Sequence, residues 1–486
     1  MSEKKVPYFM ISILFIGAFI SILNNTLLNI ALPTIMNEFS ISPSTAQWLI
    51  TGYMLTSGVL IPASAFLVTR FTNRKLFIVA MGLFTLGTAT AMLAPSFAVL
   101  LTGRFLQAAG SAVMMPLLMN VMLLAFPVER RGAAMGVFGM VMIVAPAIGP
   151  TLSGWVIEHY TWRTLFTIIL PFAVLSLVLG IFKLQNITPN RKVSLDVLSV
   201  LLSSVGFGGI LYGFSSAGGD KGWGAPEVYS TIIIGTIALA WFIVRQLKLE
   251  EPLLNLSVYR YNMFTLSSII VSVISMAMFS GMILTPLYVQ TVRGISPFDA
   301  GLLMLPGAII MGLMSPITGR IFDKYGAKLL AVTGITIMVI TTYLLSTLKI
   351  DTSYYYIMAV YTTRMFGMSM VMMPISTNGL NQLPRELNPH GAAINNTLQQ
   401  VTGAIGTALL LTIMHNRTES TMVNLVTDAT KAGMQMTAEL QAKLGVEAML
   451  DAINYSFYIS TWIAAVALVL AFFVKRVTPP TSLAKK

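Results

Sequence analysis

The sequence predicts an all-α polytopic membrane protein with fourteen transmembrane helices, arranged as two pseudo-repeated six-helix bundles plus two inserted helices. Composition supplies the first reason. Of the 486 residues, 56% are hydrophobic and only 10% charged, where a soluble chain would carry about 25% charged residues. The second reason is a series of long apolar runs, and the third is an internal repeat. With no cysteine in the chain, disulfides, thiolate chemistry and cysteine-ligated metals are excluded.

Runs of about 20 apolar residues, enough to cross a bilayer as a helix, lie at 8–32, 45–68, 76–94, 97–124, 132–156, 163–183, 196–215, 228–247, 263–289, 300–321, 329–347, 354–378, 394–414 and 454–474. The first is too long for a signal-peptide core and lacks a small-x-small cleavage site, so it reads as a retained helix. Basic residues orient the chain. With both termini in the cytoplasm, the inner segments hold Lys4, Lys5, Arg70, Arg74, Lys75, Arg130, Arg131 and fourteen further Lys or Arg through Lys486, twenty-one in all. The outer loops hold seven, and Arg104 and Arg364 fall inside helices. The net charge of +12 is thus topological and does not point to nucleic acid. The one long loop, 415–453, has a helical period over 436–451 and reads as an outer amphipathic hairpin or helix.

The repeat appears as RFLQAAGSAVMMPLLMN (104–120) against RMFGMSMVMMPISTN (364–378), each with an arginine, the word VMMP and an Asn four residues past the proline. TRFTNRKLF (69–77) and DKYGAKLL (323–330) form a second pair at nearly the same offset. The pairs match span four to twelve and two to ten. That divides the chain into 1–190, a six-helix bundle, 191–260, two inserted helices, and 261–486, a second six-helix bundle with the 415–453 loop. Duplicated halves around a midplane site are a common transporter architecture.

Span five reads GAAMGVFGMVMIVAPAIGPTLSGW (132–155). Gly136, Gly139, Gly149 and Gly154 permit close approach of backbones, and Pro146 and Pro150 each free a carbonyl and bend the helix. Ordinary small-residue packing would use glycine too, but this density favours a kinked helix at a moving interface.

Several stretches resemble the major facilitator superfamily. APAIGPTLSG (145–154) resembles its helix-five antiporter signature, GRIFDKYGAK (319–328) its loop signature, and Arg104 with Gln107 and Gly110 its helix-four arginine signature. LNNTLLNIALP (23–33), WRTLF (162–166), EPLLNLSVY (251–259) and TPLYVQTVRGISPFDAGLLMLPGA (285–308) resemble the fourteen-helix drug:proton antiporter branch, above all lincomycin-resistance-type multidrug permeases. The resemblance covers nearly the whole chain. It implies alternating access, proton coupling, no cofactor and a central cavity that includes the first helix. Four positions depart from the pattern. Asn24 stands where the branch usually has an acid, Thr69 and Thr72 degrade the first loop signature, and Gln399 replaces a common Arg.

On a helix, Ser21, Asn25 and Asn29 share one face with Asn24 beside it. Such a face points into the bundle, either bridging to neighbouring helices or lining the substrate path. Asn carries donor and acceptor and no charge, which suits neutral or amphipathic cargo. Arg104 and Arg364 are the deep charges, one per half, and a charge at that depth marks function by default, the alternative being a structural arginine satisfied by backbone carbonyls or Gln107. By resemblance, Arg104 with Gln107 would govern protonation of a nearby acid, for which Glu158, Asp323 and Asp196 are the candidates. Asp323 also reads as an inner gate latch that pairs with a helix N-terminus or loop cations in one state. Met115 and Met373, in the paired VMMP words, suit a promiscuous surface, though Met stripes more often pack. Asn120, Asn378, Trp48, Tyr53, Tyr288 and Gln290 complete the candidate cavity and rim, with aromatics near helix ends equally suited to interface anchoring.

The function expected from these residues is proton-coupled multidrug efflux of hydrophobic or amphipathic small molecules, by a monomer in the cell membrane among its lipids. A lipid or fatty-acid flippase of the same fold and a non-transporting membrane sensor are the alternatives. An enzyme is disfavoured: the three histidines, His159, His390 and His415, lie in or near loops, and no metal-spaced carboxylate cluster occurs in a span. No P-loop occurs, which disfavours ATP-driven transport.

Overall fold

The computed structural model describes residues 8–41, 43–127, 130–187, 196–217, 222–250, 252–432 and 434–477. Within hydrocarbon a single segment can satisfy its own backbone only as a helix, and helices account for every regular element among the described residues apart from short 3-10 and π turns. The first six are α1 (Tyr8–Phe39), α2 (Pro43–Arg70), α3 (Asn73–Met92), α4 (Phe97–Ala125), α5 (Arg131–His159) and α6 (Arg163–Lys183). Then come α7 (Val197–Ala217) and α8 (Pro226–Lys248), followed by α9 (Asn262–Leu287), α10 (Pro297–Tyr325), α11 (Ala327–Leu345), α12 (Tyr354–Ser369), α13 (Met372–Asn381), α14 (Asn388–Lys431) and α15 (Ala438–Ala471).

Local chemistry sets the boundaries. Thr72, Ser296 and Thr437 accept hydrogen bonds from the backbone amides of Lys75, Asp299 and Leu440, and so cap α3, α10 and α15. Gly326, at φ +82°, turns α10 into α11 with a single residue.

The structure is all-helical as expected. Among the described residues, twelve helices are long and apolar enough to cross a membrane. Helix α2 runs unbroken over the expected 45–68. The expected 354–378 span is broken between α12 and α13. Pro374 cannot donate to Met370, four residues back, and its ring pushes that carbonyl away. Thr318 Oγ1 on α10 donates to the nearby Ser369 carbonyl at 3.0 Å, which supports the break. In α4 the same VMMP word passes Pro116 without interruption. Helix α5 likewise runs through Pro146 and Pro150 as one helix.

The expected 415–453 loop is mostly helix. The 44 residues of α14 extend about 66 Å at 1.5 Å per residue, roughly twice the hydrocarbon thickness. Its far end pairs with the start of α15 through Arg417 and Asp451 at 2.7 Å and through Thr421, which donates to Asp451 at 2.8 Å.

One large apolar cluster joins α1, α3, α4 and α6 around Phe77, Phe84, Leu118 and Phe166; a second joins α9, α11, α12 and α15 around Ile274, Ile335, Met338 and Ala467. The two regions meet where α5 packs on α10 and α2 on α14. The α7–α8 pair is fastened by Arg245, which donates to both Asp196 oxygens at 2.8 and 3.1 Å. Its α7 lies against both α2 and α14.

Candidate transport site

Arg104 is wholly buried on α4 and gathers three helices. Its Nε donates to the Leu49 carbonyl of α2 at 3.2 Å, Nη1 to Gln107 Oε1 at 3.1 Å and Nη2 to Asn25 Oδ1 of α1 at 3.3 Å. The Tyr53 ring lies 4.3 Å from the guanidinium carbon. Gln107 Nε2 extends the network, donating to Thr88 Oγ1 of α3 at 2.9 Å and approaching Asn24 Oδ1 at 3.4 Å. One turn away the Ser21 and Ser111 hydroxyls bond across α1 and α4. The polar letters of the first helix therefore converge on the Arg104 network: Asn24 is 2% exposed and Asn25 half-buried. The side chain of Asn29 lies outside the described ones. Asn120 is buried farther along α4, with its Oδ1 lacking a partner, and Met115 is half-buried. Trp48 is 39% exposed and stacks on Tyr212 of α7 at 5.9 Å, which places it at the α2–α7 contact.

In the second half, Arg364 is equally buried. Its Nε donates to Thr342 Oγ1 of α11 at 3.1 Å and Nη2 to the Ala277 carbonyl of α9 at 2.8 Å. A Cβ on Gly281 of α9 would overlap the guanidinium, so that glycine makes the pocket.

Two expected cargo contacts lie elsewhere. Asn378 donates to the Lys475 carbonyl at 3.1 Å and accepts from the Val477 amide at 3.3 Å, so its amide tethers the segment after α15. Tyr288 is fully buried in an apolar cluster with Leu345 and Phe457, and its hydroxyl donates to the Lys349 carbonyl at 2.6 Å. It sits in a π-helical turn that ends α9, while Gln290 of the same turn is exposed.

The residues of α5 and α10 form the longest contact between the two regions. Gly132 and Gly136 meet Gly319 and Ser315 of α10 with no room for a Cβ, and Gly139 meets Ser315 and Met373. Ser315 Oγ donates to the Gly136 carbonyl at 2.7 Å. Asp323 accepts from the Gly132 and Ala133 amides at 2.8 and 3.0 Å, placing a carboxylate on the N-terminus of α5. Arg131 donates to Asn381 at 3.2 Å across the same end. Arg476 covers it, donating to the Lys324 and Asp323 carbonyls at 3.0 and 2.9 Å.

Gly149 lies against Thr26 of α1, whose hydroxyl a Cβ would strike, and Pro146 is half-buried nearby. The side chain of Pro150 lies outside the described ones. Gly154 differs from expectation: a Cβ there meets nothing. Glu158 is exposed at the end of α5, away from Arg104's partners. Asp196 is committed to Arg245.

Thr88, Thr342, Gly281 and Ser315 are absent from the residues expected of the site. The two threonines had a signal: they stand 254 residues apart, the offset of the second repeat pair. Gly281 and Ser315 carry no sequence mark that separates them from ordinary packing residues.

Residues 14–407 match the sequence model of the Major Facilitator Superfamily. The chain is 50% identical over 416 residues to the uncharacterised MFS-type transporter YhcA of Bacillus subtilis (strain 168), covering 86% of this chain and 78% of that one. It is 44% identical over 476 residues to the lincomycin resistance protein LmrB of the same organism, covering 98% and 97%. The crystal structure of the human organic anion transporter MFSD10 (TETRAN) superposes with a TM-score of 0.64 at 12% identity, over 94% of this chain and 99% of that one, which speaks for the fold alone. The chain belongs to the major facilitator superfamily and is a multi-pass membrane transporter of small molecules, not an enzyme.

Proposed function

We propose that this transporter exports hydrophobic or amphipathic small molecules, in exchange for protons, by alternating access. The observation that carries the reading is the buried network of Asn24, Asn25, Tyr53, Arg104 and Gln107, a polar centre on three helices in an otherwise apolar bundle. The lincomycin resistance of a relative 44% identical over nearly its whole length supports a drug as cargo. The α5–α10 contact is the gate. Asp323, seated on the α5 N-terminus, is its latch and the carboxylate best placed to couple gate opening to a proton, because protonation removes the charge that the helix end stabilises. The bundles are 1–190 and 261–486 with 191–260 inserted, both termini face the cytoplasm, and a monomer in the plasma membrane suffices.

Sealed vesicles with an imposed pH gradient test this reading. Everted vesicles acidified inside should accumulate lincomycin or a fluorescent amphiphile, and a protonophore should abolish the uptake. Uptake indifferent to the gradient would remove proton exchange, and no uptake of any amphiphile would remove the export reading.

A further inference from the structure

Among the described residues, the Arg104 network has more donors than acceptors and a charge that no side chain around it neutralises. Arginine carries five N–H groups, and the three hydrogen bonds of Arg104 go to Leu49, Gln107 and Asn25, all neutral oxygens at 3.1–3.3 Å. Contacts of a guanidinium with a carboxylate are shorter, about 2.7–2.9 Å. Tyr53 adds only a ring face. Close by, Asn24 Nδ2 is buried and has no partner, although Oδ1 of the same amide lies 3.4 Å from Gln107 Nε2.

No carboxylate of the surrounding helices can answer this charge. Between Glu3 and Glu129 the sequence contains Glu38 alone. Its two oxygens accept from Arg163 and from the Trp162 indole, each at 2.6 Å, at the far end of α1. A buried ion without a partner of opposite charge is strongly unfavourable, and an unpaired buried amide adds to the cost. An occupant with one negative charge and acceptor oxygens or a lone-pair shell would relieve both.

We propose that Arg104 and Asn24 form an anion-binding site whose ligand is a carboxylate or a small monovalent anion, received by the guanidinium and by Asn24 Nδ2. The inference rests on the export reading in one respect: a carboxylate of the cargo is one source of the anion, and an inorganic halide is the other. Asn24 and Arg104 are sealed in this conformation, so the anion exchanges when α1 moves away from α4.

The test uses full-length protein in lipid nanodiscs at low ionic strength. Thermal unfolding is followed with added benzoate, with the neutral isostere benzamide and with chloride. Benzoate should raise Tm by a few degrees while benzamide does not, since a ligand stabilises the state it binds. In Asn24→Asp the new carboxylate occupies the ligand's place, so the starting Tm should rise and the benzoate response disappear. Arg104→Lys should retain a weaker response. A benzoate response without a chloride response assigns the site to cargo carboxylates, and a chloride response that competes with benzoate assigns it to the inorganic ion as well. Equal shifts with benzoate and benzamide, or a benzoate shift that survives Asn24→Asp, would overturn the site. Binding is read here without transport. Protein that responds to benzoate but exports nothing loses the export reading and keeps the site, whereas export of neutral amphiphiles with no anion response removes the site alone.

Discussion

In the first half of the molecule the buried arginine of α4 donates to two side-chain amides and one carbonyl, whereas its counterpart in the repeat, Arg364, donates to a threonine hydroxyl and a carbonyl in a pocket opened by Gly281. Both are wholly buried. The two shells nevertheless differ in how readily they can rearrange. An Asn or Gln amide changes partner by rotating a side chain, and Asn24 already has a donor to spare. A backbone carbonyl beside a glycine moves only with its helix. The same contrast runs through the VMMP word: α4 passes its proline unbroken, while α12 and α13 part there and α10 supplies a hydroxyl to the gap. One copy of the repeat holds a shell able to exchange ligands. The other holds a fixed joint.

The largest effect expected from this contrast is at Gly281. Gly281→Leu places a side chain where the Arg364 guanidinium lies, and displacing a buried charge from its partners costs about 3–5 kcal/mol. Monodisperse protein after extraction should fall steeply. Normal yield would show the second pocket to be as adaptable as the first.

Next in size is the pair of arginine variants. Arg104→Gln should still fold, because amides surround it, but export of anionic amphiphiles should drop on the order of tenfold or more, as expected for losing hydrogen bonds to a charged group worth about 1.5–3 kcal/mol. Arg364→Gln should reduce the amount of protein more than the export rate per molecule. Counting reconstituted protein alongside flux separates the two, and an exchange of the two phenotypes would invert the comparison.

A third test reaches the adaptable shell from outside. Gly149 abuts Thr26, the residue after Asn25. Gly149→Leu should push α1 and stop export while the protein still inserts. Gly154→Leu, whose Cβ meets nothing, should export as the unaltered protein does. Equal rates in both variants would uncouple α1 from the Arg104 network.

Much of this was legible in the sequence because hydrocarbon leaves few choices. Long apolar runs had to be helices, and a polar cluster such as LNNTLLN had to face inward, as Asn24 and Asn25 do. Asp323 could be read as a partner of a helix N-terminus because its loop word is short and distinctive, and the structure seats it on that of α5. Partners set by helix rotation were not legible. Nothing local says that the Asn378 amide meets the segment after α15 or that Tyr288 turns to the Lys349 carbonyl. The break between α12 and α13 was hidden for a similar reason. Pro116 and Pro374 stand in identical words, and the hydroxyl that supports one break comes from Thr318, far away in sequence.

The smallest effect sharpens the contrast by supplying a compensated arginine. Arg245 donates to both oxygens of Asp196 between α8 and the start of α7. Those hydrogen bonds, joined by Ser199, outweigh burial and draw the Asp196 pKa down from 3.8 to about 2. A folded-state pKa below the unfolded one contributes stability above the unfolded value, and that contribution is lost as pH falls through the folded value. The α7–α8 attachment should therefore hold at neutral pH and weaken between about pH 4 and 2. The pair is partly exposed, with side chains 31% and 21% accessible, so its contribution is about 1 kcal/mol or less. Asp196→Asn should lower Tm by at most a few degrees at pH 7 and remove the part of the acid loss that falls in that window. It should leave export unchanged, because Arg245 touches neither Arg104 nor the gate. A loss of export as deep as that of Arg104→Gln would mean that the inserted pair belongs to the transport machinery, and the division between exchangeable and fixed arginines would then have to include a third.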